Sequence, residues 1–489
     1  MNGKWIIDKG SWIGGLSPSV RLGRQSQYAD AVAMDLYRNV GAVTPGYLPV
    51  SVGSTTVTDL IKWLEPGQST AANDEQYLYG YGDSGKIYRI AQSNGAPSVV
   101  HTIGSYSGSA NGLETYAISG TNFLLYSHNT DIGASPSDWS AVDTGWDDDY
   151  WTTVVTGTHD ALTTGLPHPM KKFLTMLLIG DGNKLLTLTG SVGAVAFTLP
   201  KGEVIVSIEE WSPYAAILTR TVSNGAYVGN AKIYLWDGTS TSYNKVIHTQ
   251  ENYATAIKNV GGILYITMGG GKKYLGYYDG SGIKKVSTIP ATTLPIAGGI
   301  DGGNGAVYFL AMTSGGKGDI FTYDTPYPEL PAALNKPLRV LDAQNGTATL
   351  GALRVIDYNN IIAAFYTGAA YKLYQWTAKY DTTTSFSTMS FDFGTVEAKQ
   401  WDHFKFWFST LAAGEAIQFA YSTNGGASYT NFTSGNPTYA ANGAISFWKI
   451  DEPIEGREIS IKITMTAGTS NNTAPVFVRG EADWATLDE

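Results

Sequence analysis

The stretch Lys232-Ile233-Tyr234-Leu235-Trp236-Asp237-Gly238 decides how this chain is read. A short β-branched and aromatic run that stops on Asp-Gly is a strand entering a tight turn. Related strands follow Gly-rich turns elsewhere: Lys86 to Ile90 after Gly82-Asp83-Ser84-Gly85, Lys184 to Leu188 after Asp181-Gly182-Asn183, and Tyr274 to Gly280 after Gly269-Gly270-Gly271. Asp319 to Asp324 after Ser314-Gly315-Gly316, Tyr371 to Trp376 and Asn122 to Tyr126 complete the set. Aligned on Trp236, the copies place Ile90, Tyr126, Leu188, Tyr278, Tyr323 and Trp376 in register, with steps of 36, 62, 48, 42, 45 and 53 residues along the chain. Most steps lie near the roughly 40–50 residues of a four-stranded blade.

Seven copies predict an all-β fold, a β-propeller of about seven blades over residues 61–385. Each blade buries its apolar faces against two neighbours, and ring closure protects strand edges. The long step between Tyr126 and Leu188 reads as a blade with a loop insertion. From residue 386 to 489 strands alternate without the Tyr-x-Trp-Asp-Gly ending, which predicts a β-sandwich. Residues 1–60, with Pro18, Pro45 and Pro49 interrupting short apolar stretches, read as an extended arm that crosses a neighbour or closes the ring.

Composition agrees with strands. Among 489 residues there are 57 Gly, 31 Tyr, 16 Phe and 13 Trp, while charged residues make up 15%. A net charge of −10 gives no global attraction to phosphate backbones or anionic lipid, so no sequence-specific nucleic acid is expected as a partner. Asp8 and Lys9 interrupt the first apolar stretch, and no segment approaches the roughly 18 apolar residues of a membrane helix. Neither an N-terminal export signal nor membrane insertion is expected. The absence of Cys excludes disulfides, thiolate metal sites and a Cys nucleophile.

Candidates for chemistry are few. Glu209-Glu210 sends one carboxylate to each face of a strand, with no partner identifiable from sequence. Arg89, Arg220, Arg339 and Arg354 show no three-arginine clamp. His101, His128, His159, His168, His248 and His403 lack the spacing of a zinc site. His159-Asp160 reads as a loop hydrogen bond, Asp147-Asp148-Asp149 as a solvated acidic tip in preference to a calcium loop, and the Gly-rich turns open no helix for phosphate. Ser422-Thr423-Asn424-Gly425-Gly426-Ala427-Ser428-Tyr429 resembles the Asp-box hairpin of sialidases and reads as a structural turn. The expectation is therefore no catalytic residue, no metal and no cofactor. Trp139, Trp146, Asp147, Asp148, Asp149, Tyr150 and Trp151 form the candidate contact loop, whose rings either stack on glycan, anchor a protein neighbour or pack onto their own blade.

Several stretches carry a family resemblance: Ser11-Trp12-Ile13-Gly14-Gly15-Leu16, Met34-Asp35-Leu36-Tyr37 with Pro45-Gly46-Tyr47, His168-Pro169-Met170 leading into Leu177 to Asn183, Tyr421 to Gly426, and Pro475-Val476-Phe477-Val478. In them the chain resembles the β-propeller structural proteins of tailed bacteriophages, found in tails and tail nozzles. The resemblance implies a non-enzymatic virion component, assembled in the host cytoplasm, that acts as a rigid scaffold within a homo-oligomeric ring and binds other tail proteins. One alternative is a tail protein that binds a host-surface glycan or receptor. Another is a propeller glycosidase or lyase, which requires an inward-facing carboxylate pair or a Tyr/His base at the central channel.

Overall fold

The computed structural model describes residues 2–17, 26–36, 42–52, 57–104, 111–158, 161–223, 226–303, 305–313, 316–323, 332–339, 348–357 and 360–487. In it Lys232–Trp236 is the third strand of an antiparallel sheet that runs Glu203–Trp211, Tyr214–Ser223, Lys232–Trp236, Lys245–His248. The turn that ends it is made by Asp237, whose carboxylate accepts the amides of Thr239 and Ser240 and the Asn244 side chain, while Gly238 takes φ +83°. Trp236 closes the turn by donating its indole N–H to the Ser240 carbonyl at 2.7 Å.

The same sheet recurs. The first blade is Ile61–Pro66, Tyr77–Gly82, Lys86–Ala91, Pro97–Thr102, and the second is Gly112–Ile118, Thr121–His128, Asp131–Ala134. The third is Met170–Phe173, Met176–Asp181, Lys184–Thr189, Val192–Thr198, with Thr156–Thr158 added in parallel at its outer edge. The Glu203–His248 sheet is the fourth, and Ala254–Val260, Ile263–Met268, Lys273–Tyr278, Ile283–Ile289 form the fifth. The sixth runs Ile300–Gly303, Ala306–Thr313, Lys317–Tyr323, Leu334–Arg339, and the seventh Thr349–Asp357, Asn360–Tyr366, Tyr371–Tyr380, Tyr47–Val52. Each innermost strand touches the next, and Thr349–Asp357 touches Ile61–Pro66, so the ring closes. The fold is a seven-bladed propeller with a β-sandwich.

Packing between blades supplies the core. Leu218, Ile233 and Leu235 of the fourth blade lie in one buried cluster with Ile257, Leu264 and Ile266 of the fifth. The closing contact is built in the same way, with Ile61, Leu64 and Ile90 against Ala352, Ile362 and Leu373. Complete burial of each such aliphatic side chain contributes about 1.5–3 kcal/mol.

Two alignment steps have a structural cause. Ile90, Leu188, Trp236, Tyr278, Tyr323 and Trp376 all lie on third strands, whereas Tyr126 lies on the second strand of its blade. The 36- and 62-residue steps come from that offset. Beside the third strand of the second blade, Asp131–Ala134, the described residues continue the pairing with a bridge between Ala134 and Asp147.

The chain divides into two compact units, one of Met1–Val50, Asp319–Leu341 and Trp376–Glu489, the other of Ser51–Gly318 and Asp342–Gln375. The first holds the sandwich. One sheet is Asn2–Ile7, Phe477–Thr486, Lys399–Phe408, Phe447–Ile450; the other is Tyr28–Val32, Thr383–Thr388, Ser460–Thr466, Ala416–Ser422, Thr430–Asn431. Within residues 1–60 the strand Asn2–Ile7 pairs in the sandwich and Tyr47–Val52 pairs in the seventh blade, while Pro18 lies outside the described residues. Lys4-Trp5-Ile6-Ile7 alternates exposed and buried residues, which pairs it with Phe477–Thr486, and Trp12 is buried against Phe386 and Phe477. Within the sandwich Phe406 and Phe419 stack with centroids 3.8 Å apart. The Ser422–Ser428 hairpin is the structural turn its sequence predicts, held by Asn424 accepting Ser428 N–H at 3.1 Å and by Ser422 Oγ accepting Gly426 N–H at 3.0 Å.

Candidate functional site at the centre of the ring

Every innermost strand carries one aliphatic residue followed by one charged residue: Leu64-Glu65, Leu113-Glu114, Met170-Lys171, Ile208-Glu209, Ile257-Lys258, Ile300-Asp301 and Leu353-Arg354. Adjacent strand residues face opposite ways. The aliphatic members are buried, and the charged members line a single central cavity. Four acids and three bases from seven blades thus converge on one point.

They are matched to one another. Lys171 Nζ lies 3.4 Å from Glu114 Oε2, and Lys258 Nζ lies 3.0 Å from Asp301 Oδ1 and 3.7 Å from Glu209 Oε2. Arg354 Nε is 3.6 Å from Asp301 Oδ2, which also accepts the Val355 amide at 2.9 Å. Among the described residues Glu65 has no hydrogen bond and no ion pair, and it meets the cations only at longer range.

Burial and charge work against each other here. Burial pushes the Glu114 carboxyl up to about 8, with Lys171 opposing and Glu65 and Glu209 adding to the rise. Burial also raises Glu65, against the pull of Arg354, Lys171 and Lys258. Glu114 holds Lys171 above the ordinary lysine range. For Asp301 burial acts upward, yet Lys258 and Arg354 outweigh it and keep the carboxylate below its ordinary value.

The cavity has about 60 Å³ of space that water can enter, room for a few water molecules and well below the size of a usual small-molecule site. Its groups are able to hold protons and order water.

The pH dependence follows. Glu114 has an ordinary value of 4.5 and a folded value of about 8. Between those limits the folded protein keeps a proton that the unfolded chain has lost, so stability falls as pH rises, by at most about 1.4 kcal/mol per pH unit. Urea unfolding at several pH values across this window is expected to show the fall in the wild type and a flatter profile in Glu114→Gln. An unchanged slope in the variant would remove Glu114 as its source.

Sequence reasoning placed one carboxylate of Glu209-Glu210 inward without choosing between them; Glu209 is buried and Glu210 is exposed. That reasoning missed the base opposite, Lys258. Of the three candidate arginines whose side chains are described, Arg354 reaches the channel, Arg89 lies over the Tyr77 ring and Arg220 over Tyr227; the Arg339 side chain, His159-Asp160, Ser314, Gly315 and Asp324 lie outside the described residues.

The contact-loop residues are largely tied to the blades. Trp139 is fully buried, edge-on to Tyr79 at 5.2 Å, and Trp151 is fully buried among Leu125, Ile132, Leu177 and Leu186. Those two rings offer no surface to a partner. Trp146 is half-buried and stacks on His101 with centroids 4.7 Å apart. The acidic triplet is not a freely solvated tip. Asp148 accepts Tyr126 Oη at 2.7 Å and the Gly104 amide at 3.0 Å and lies 2.8 Å from His101 Nε2; although burial opposes ionisation, His101, Tyr126 and that amide take its carboxyl down to about 2. Asp147 Oδ1 accepts the Asp149 amide, Asp149 itself is exposed, and Tyr150 is half-buried. Among the described residues no group of three or more His, Asp or Glu side chains is arranged to hold a metal ion.

No protein-family model and no curated protein matches the chain. Among solved structures it is similar to Raptor of Chaetomium thermophilum, with TM-score 0.47 and 9% identity over 68% of this chain and 30% of that one. It is also similar to the RRP9 WD40 repeats, with TM-score 0.45 and 10% identity over 68% of this chain and 99% of that one. The chain spans under a third of the Raptor chain.

Proposed function

We propose that this protein is a non-enzymatic structural component of a tailed-bacteriophage particle, a rigid tail scaffold assembled in the host cytoplasm that works by contact with copies of itself and with other tail proteins. The observation that carries the non-enzymatic part is the central cavity. Six of its seven ionisable groups lie 3.0–3.7 Å from a partner of the opposite type, and its volume of about 60 Å³ is well below that of a usual small-molecule site. The tail assignment rests on the sequence stretches that resemble tail and nozzle propellers. Closed blade-to-blade packing suits a part that must hold shape under load.

The test is the composition of purified particles, read by mass spectrometry, together with the oligomeric state of the isolated chain. The chain is expected in tails, with ring-sized oligomers in solution or on the particle. A chain that is strictly monomeric and absent from particles contradicts the proposal.

One observation favours a second reading. Glu114 at about 8 and the unpaired Glu65 are the kind of carboxyl pair that acid–base catalysis uses. In that reading Glu65→Gln abolishes a hydrolytic or eliminating activity without unfolding the ring.

A further inference from the structure

The sandwich sheet that contains Asn2–Ile7 has an outward face whose rows are fixed by register, since directly opposed residues share a face. Phe447, Trp407 and Arg479 are opposed across three strands, as are Lys449, Lys405 and Glu481, and then Asp402, Asp483 and Lys4. The alternate residues Trp401, Phe404, Phe406 and Phe408 are buried on the other face.

Over the last of these rows lies a groove of about 510 Å³, within the usual size of a small-molecule site. Its polar lining is Asn2, Lys4, Gln400, Asp402 and Asp483: two amides, two carboxylates and one ammonium. Gln400 Nε2 donates to Asp402 Oδ2 at 3.4 Å and so steers that carboxylate. At the other end of the face Phe447 is 41% exposed, its ring 5.3 Å from that of Trp407, with the Arg479 guanidinium 5.5 Å from the Trp407 centroid. From Asp483 to Arg479 is four residues of strand, roughly 13 Å.

We propose that this face binds a neutral oligosaccharide. A sugar ring offers pairs of hydroxyls at its edge and an apolar C–H face. Carboxylates and amides meet the first with paired hydrogen bonds, and aromatic rings meet the second. The groove supplies the polar set, and the Phe447/Trp407 row supplies the rings one strand-length away. Two carboxylates against one ammonium disfavour an acidic sugar in the groove. The site lies wholly within the sandwich and does not depend on the scaffold reading, so particle composition and saccharide binding succeed or fail separately.

The test is binding of the full chain to an array of neutral and uronate-bearing oligosaccharides, followed by titration of the strongest ligand. Neutral glycans are expected to be retained, and the Asp402→Asn/Asp483→Asn variant is expected to bind about ten-fold or more weakly because charged hydrogen bonds are lost. Trp407→Ala provides a second, independent loss at the aromatic end. The melting curves, expected to stay unchanged because the aspartates face water, identify any variant that fails to fold. An array with no neutral glycan retained, retention of acidic glycans alone, or undiminished binding by folded variants of both kinds overturns the proposal.

Discussion

Lys258→Met is expected to lower the unfolding free energy by about 3–5 kcal/mol, because removal of one partner from a buried ion pair leaves uncompensated charge. Among the described residues Lys258 is the only base within ion-pair distance of Glu209 and the nearer of two to Asp301, which keeps Arg354 and the Val355 amide. The stranded charge is therefore mainly that of Glu209. The double variant Lys258→Met/Glu209→Gln should recover most of the loss, a coupling that a double-mutant cycle measures directly. Urea unfolding followed by tryptophan fluorescence provides all the required free energies. A cost below about 1 kcal/mol, or no recovery in the double variant, means that the channel charges are solvated well enough to stand alone.

Trp151→Ala is expected to cost about 3–5 kcal/mol, the usual range for a large aromatic removed from a closed core. Its ring is completely buried among Leu125, Ile132, Leu177 and Leu186, and its backbone N–H donates to Asp131 Oδ1 at 3.0 Å. Trp146→Ala should cost distinctly less, since that ring is half-buried and loses chiefly its stack on His101. Thermal unfolding of both variants distinguishes an anchor from a contact residue: a ring used for partner binding would lose binding at unchanged stability.

The ring was legible because strands of one type recur at blade spacing, two of them ending on Asx turns at Asp237-Gly238 and Asp279-Gly280. The second blade misled the alignment because its Tyr126 occupies the second strand and its sheet has three strands among the described residues. The N-terminal strands were misread because proline was taken as a breaker. Pro45 and Pro49 sit within short strands, Thr44–Pro45 and Tyr47–Val52, the second an outermost strand, where a missing N–H is tolerated.

The central site was hidden for a different reason. The signal existed, an aliphatic residue followed by a charged one in each innermost strand, but the charge changes sign from blade to blade. A search for a conserved carboxylate pair or an arginine triad sees Glu65, Lys171 and Arg354 as unrelated. Only closure of the ring turns residues some 40–60 positions apart into neighbours, and only then does the matching of opposite signs become apparent. The tryptophan loop has the reverse lesson: exposed-looking aromatics between polar residues were packed against the blades.

The claim on which the account depends is that the charged centre holds the ring together and turns over nothing. Under the proposed tail role its most direct test is complementation with Glu65→Gln, among the described residues the one channel carboxylate without an ion pair, in phage deleted for the gene. The account predicts particles that carry the variant at normal copy number and infect as the wild type does. Particles that carry a folded variant yet fail to infect, or lose an activity against a host polysaccharide, would contradict it.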